Sequence, residues 1–149
     1  MKTMEVKQMG FTLVELMIAV AIVGIFASIS YPSYQSHIMK AKRSEAQAAL
    51  VSMATAMEQW RVENNNNYGD GTDSIFATQV PTDGIGTKTY SLTFTTTVSA
   101  SDSTKYDKYT LTATPVTPQD ADVCHVLTLK STGEKVANGV SPDTANCWE

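Results

Sequence analysis

The chain has 149 residues, enough for one domain of ordinary size plus an extra helix but too few for two domains. Eleven basic against fifteen acidic residues leave a net charge of −4, so no overall positive field recommends nucleic acid as a partner. There is no Gly-rich phosphate loop and no Gly-x-Ser-x-Gly nucleophile turn. The only histidines, His37 and His125, have no cysteine or carboxylate nearby at metal-ligand spacing. Composition and motifs therefore point away from an enzyme, a cofactor and a metal site.

Residues 1–10 are short and polar, with Lys2, Lys7 and Glu5, and end in Gly10 directly before an apolar run. From Phe11 to Tyr31 there are 21 residues, and Glu15 is the only ionisable side chain among them. As a helix this segment rises about 31 Å, which matches a hydrocarbon core of about 30 Å, so it is long enough to span a bilayer. A secretory signal peptide places small residues after its apolar core and is cut there, whereas here the small residue stands before the core. Cutting between Gly10 and Phe11 keeps the helix and leaves its new α-amine four residues from Glu15, about 6 Å along the axis.

An acid at the centre of a spanning helix costs on the order of 2.5–3.5 kcal/mol, and less toward an end. Two readings of Glu15 follow. It is an acid near enough to the membrane edge to reach water, or it meets a positive charge supplied by another copy of the chain.

Gly24 and Pro32 form a built-in weak point. Glycine lowers helix stability by about 1 kcal/mol relative to alanine, and Pro32 removes the N–H that the carbonyl of Ser28 needs. Beyond it, residues 33–63 favour helix, and Ala46, Leu50, Met53, Met57 and Trp60 step by four, three, four and three to draw one apolar stripe. Lys40, Lys42 and Arg43 read as a solvated helix face near lipid headgroups, or as partners for the acids of neighbouring subunits. With Lys2 and Lys7 on the other side of the span, the positive-inside bias gives no clear orientation. Glu63 and the run Asn64 to Asn67 end the helix.

Residues 64–86 carry no sustained period and read as a long surface loop. Asp70 and Asp73 resemble a calcium loop only superficially, because the spacing and closing glutamate are missing. Tyr90, Leu92, Phe94, Thr96 and Val98 alternate with hydroxyl residues, as do Tyr109, Leu111 and Ala113, which predicts an antiparallel hairpin. Pro115 and Pro118 end its second strand, Val123 to Lys130 forms a third, and Lys135 to Val140 a short fourth. The sheet, over residues 87–140, packs its apolar face against the helix stripe, so the predicted class is α+β with a head on a long helical stalk. Cys124 and Cys147 form one disulfide in an exported domain and are free thiols in the cytosol, and a membrane span before them favours export. That bridge closes a 24-residue loop, stabilising by about 3.4 kcal/mol on chain entropy, and bounds a tail over residues 124–147.

The heptapeptide Gly10-Phe11-Thr12-Leu13-Val14-Glu15-Leu16 resembles the prepilin-peptidase signature of type IV pilins, and Gly24 and Pro32 fall where that family has its helix-loosening residues. The stretches Tyr31-Pro32-Ser33-Tyr34, Arg43 to Leu50, Tyr109 to Pro115 and Asn146-Cys147-Trp148 are similar to the PilE-type minor pilins. The chain departs from them in having His125 where a glycine commonly follows the first cysteine, and in its long 64–86 loop and the tail around 138–144. The resemblance implies that residues 1–10 are a leader removed by the prepilin peptidase, which also methylates the new terminus Phe11. It implies that Glu15 pairs with the Phe11 amine of a neighbouring pilin subunit, with no cofactor and no specific nucleic acid. It further implies storage in the inner membrane lipid of a Gram-negative bacterium with the head, residues 32–149, periplasmic. The pilus assembly machinery then transfers the subunit to an extracellular filament serving adhesion, motility or DNA uptake. A major pilin and a type II secretion pseudopilin are the alternatives, and the cysteine pair argues against the second.

Overall fold

A computed structural model describes residues 10–69, 76–138 and 147–148. The expected leader up to residue 9, the Asp70 and Asp73 pair, and the tail residues 139–146 lie outside the described residues. The chain divides into two compact units, residues 1–37 and 38–149.

One helix, α1 (Leu13–Glu63, 51 residues), runs through both units without interruption. It passes Pro32, where the Ser28 carbonyl lacks its usual donor, and just there the Ser28 hydroxyl donates to the Ile25 carbonyl at 2.7 Å. The helix ends where the asparagine run begins. The Asn64 amide and side chain both donate to the Trp60 carbonyl, and Asn65 and Asn66 adopt left-handed φ of 55° and 62°. Asparagine tolerates that conformation and so closes the helix.

In the first unit every large apolar side chain from Phe11 to Tyr34 is exposed. In the second, Ala46, Ala49, Leu50, Met53 and Met57 are buried and Trp60 is half-buried, as the stripe predicts. Their counterpart is an antiparallel sheet in the order β1 (Gln79–Val80), β2 (Tyr90–Val98), β3 (Tyr106–Pro115), β4 (Leu127–Lys130), β5 (Lys135–Ala137). Tyr90, Leu92, Tyr109, Leu111, Ala113, Leu127 and Leu129 join the same core as the helix stripe, giving the predicted α+β architecture.

Three boundaries differ from the sequence reading. The 64–86 segment is not all surface loop: Val80 is fully buried and pairs with Tyr90, so the sheet begins at Gln79 rather than 87. Two residues are too few to show an alternation. Tyr68 in the same segment is also buried, donating its hydroxyl to Glu58 Oε1 at 2.8 Å and meeting Tyr109 edge-on at 4.9 Å. The third strand starts at Leu127, not Val123, because a 3-10 turn at Gln119–Ala121 and a left-handed His125 (φ 42°) take the chain out of extended geometry. The last strand, predicted as Lys135 to Val140, is β5 with Ala137 as its final residue.

Candidate functional site

The N-terminal end of α1 brings Phe11, Thr12 and Glu15 together. Thr12 stands at the cap position and Glu15 three residues later. The Glu15 amide donates to Thr12 Oγ1 at 3.2 Å, while the Thr12 amide and hydroxyl both donate to Glu15 Oε2, at 3.4 and 3.3 Å. This is a capping box, in which each residue satisfies a backbone N–H that the helix cannot. Its signature, Thr-x-x-Glu before an apolar run, is present in the sequence at Thr12 to Glu15.

The box turns the Glu15 carboxylate back toward the start of the helix, the end at which the helix dipole favours negative charge. Phe11 is 85% exposed, and Glu15 forms no ion pair among the described residues. The window around it has a mean hydropathy of 2.4 and no buried residue, long and apolar enough to cross a membrane. A side chain added at Gly24 or Gly10 meets nothing within 4 Å, so neither glycine is required by packing within a single chain.

The basic trio does not hold together. Arg43 is buried and pairs with Asp122 at 3.0 Å, leaving only Lys40 and Lys42 on the solvated face. Arg43 lies three residues before Ala46 and so continues the buried stripe by one turn, but an arginine there reads as surface until its partner is known. Asp122, Gln119 and Tyr90 complete the buried network, with Tyr90 and Gln119 linked at 3.2 Å. Burial pushes the Tyr90 phenol up to about 12, with the Asp122 charge adding to the rise, and burial likewise raises Tyr109 to about 12.

Cys124 and Cys147 are bonded, with Cα atoms 5.7 Å apart. His37 and His125 are both exposed. Among the described residues no cluster of three His, Cys, Asp or Glu side chains is placed to hold a metal ion.

Residues 7–31 match the prokaryotic N-terminal methylation motif. Residues 32–128, well over half of the chain, match the family described as type IV minor pilin ComP, DNA uptake sequence receptor. The chain belongs to the type IV minor pilins. This pilin is 43% identical over 67 residues to a fimbrial protein of Moraxella nonliquefaciens, a stretch that covers 45% of this chain and 43% of that protein. It is 47% identical over 55 residues to the type IV major fimbrial protein FimA of Dichelobacter nodosus, covering 37% of this chain and 35% of that one. The pilin thus spans less than half the length of these curated relatives. A solved type IV pilin from Shewanella oneidensis shares the fold, with a TM-score of 0.50 and 24% identity over 74% of this chain and 98% of that one.

Proposed function

We propose that this pilin is cut between Gly10 and Phe11 by a prepilin peptidase, N-methylated at Phe11, and held in the inner membrane by residues 11–31. From there the pilus machinery moves it into a filament as a minor subunit, where Glu15 neutralises the Phe11 amine of an adjacent subunit. The observation that carries this reading is the Glu15 carboxylate, turned toward the helix start inside an exposed apolar segment and in no ion pair among the described residues. In lipid or in a helix bundle such an acid needs a counter-charge, and a freshly cut amine at the same depth supplies one.

The test is mass spectrometry of the chain from native cells together with Glu15→Ala. Processing as proposed gives a first residue Phe11 carrying one extra methyl group, and Glu15→Ala inserts in the membrane yet drops out of sheared filaments. A chain that still begins at Met1 in filaments sinks the reading. The share of this chain in filament mass separates the minor from the major role: a minor subunit contributes a few per cent or less.

The family match supports a second role, DNA binding by the head. A local surface favours it despite the net charge: the register places Thr95, Thr110 and Lys130 in one row of the sheet and Thr93, Thr112 and Thr128 in the next. Lys108 stands opposite Thr97 in the row beyond, so these positions carry hydroxyls and two ammonium groups, of which Lys130 pairs with Glu134 at 2.9 Å. Hydroxyls and lysines are phosphate donors. Fluorescence anisotropy with duplex DNA at low and moderate salt decides it, and no binding at low salt removes this role.

A further inference from the structure

Three positions spaced by four on α1 make polar contacts outside the apolar stripe. The Met39 carbonyl accepts from Gln119 Nε2 at 3.0 Å. Arg43 Nη1 donates to Asp122 Oδ1 at 3.0 Å and also lies against Cys124 Sγ. Gln47 Nε2 donates to the Cys147 carbonyl. All four polar side chains, Arg43, Gln47, Gln119 and Asp122, are buried. Each of the two segments that carry a cysteine is therefore fastened to the helix by a contact separate from the disulfide.

The spacing fits the bond. Residues four apart stack on one helix face with a rise of about 6 Å, and the two cysteine Cα atoms are 5.7 Å apart. We propose that α1 templates the disulfide: Arg43 and Gln47 bring Cys124 and Cys147 to bonding distance in the reduced chain and keep the C-terminal segment docked when the bond is absent. Either sulfur can be the attacking one, Cys124 in the order that follows. During a transient opening of the C-terminal segment, since docked Cys147 is buried, a low-molecular-weight disulfide such as oxidised glutathione exchanges with Cys147, releasing one glutathione thiol. The Cys124 thiol gives its proton to solvent and the thiolate attacks the Cys147 sulfur of that mixed disulfide. The protein bond forms as the Cys147–glutathione bond breaks and the second glutathione leaves. Two protein thiols are oxidised and one oxidant disulfide is reduced to two thiols.

The test equilibrates the full chain, in detergent micelles, with glutathione redox buffers. The proportion oxidised reports the effective concentration of the two thiols. Gln47→Leu lowers it at least tenfold while the far-ultraviolet circular dichroism of the reduced chain is unchanged. A second measurement uses Cys124→Ser with Cys147→Ser and Trp60→Phe, leaving Trp148 as the only tryptophan. Trp148, whose Nε1 donates to the Val136 carbonyl at 3.0 Å, stays shielded from acrylamide in this variant and becomes accessible when Gln47→Leu is added. An effective concentration unmoved by Gln47→Leu, or a Trp148 fully accessible once the cysteines are gone, overturns the proposal.

Discussion

The two halves of α1 have the same backbone and opposite surroundings. From Leu13 to Tyr34 every large apolar side chain faces outward, whereas between Ala46 and Met57 one stripe, Ala46, Ala49, Leu50, Met53 and Met57, is buried in the core shared with the sheet. A helix that buries one stripe obtains its stability inside its own chain. A helix apolar all round must find its burial elsewhere, in lipid or among other helices. The difference teaches that the first unit is built for a partner and the second for itself.

The comparison breaks most visibly in the head. Asp122→Ala leaves the Arg43 guanidinium buried without its partner, and denaturant unfolding of the head weakens by about 3–5 kcal/mol. Leu50→Ala costs about 2–5 kcal/mol by the same measurement, since Leu50 is fully buried, while Ile18→Ala leaves head stability unchanged. An equal loss from Ile18→Ala dissolves the contrast between the halves.

A smaller effect sharpens it at the N-terminal end. Thr12→Val removes the hydroxyl from the capping box and costs about 1 kcal/mol of local helix stability, read as faster amide exchange at Leu13 to Glu15 in micelles with head exchange unaltered. The head in turn has an alkaline limit that the exposed half lacks. The Tyr90 and Tyr109 phenols are raised from 10 to about 12, so the stability they contribute is complete below pH 10 and is lost as pH climbs from 10 toward 12. Tyr90→Phe cannot ionise, and it flattens that fall in melting temperature against pH. The smallest change is a gain: His125→Gly relieves a left-handed φ of 42° and raises stability by about 0.5–1 kcal/mol, seen as a melting temperature a few degrees higher.

The position of His125 shows how sequence and structure divided the work. The resemblance to PilE-type pilins marked it as a place where glycine is usual, and the left-handed backbone supplies the reason. The apolar stripe and the hairpin were legible because their periods, 3.6 and 2, run through several turns or pairs. The two-residue strand β1 and the buried Tyr68 were not, since neither carries a period. Thr12 is legible as well, its spacing to Glu15 being the mark of a capping box.

By itself the sequence determined the apolar span with its one acid, the amphipathic half of the helix, the alternating strands and the cysteine pair, all of which are local patterns of hydropathy or spacing. Only the tertiary structure decided that Arg43 leaves the basic face for a buried pair with Asp122, and that Gln47 and Gln119 join the helix to the cysteine-bearing segments. Their partners lie 79 to 100 residues away along the chain. A polar side chain reads as surface until folding brings the group that satisfies it, and that meeting has no trace in local composition.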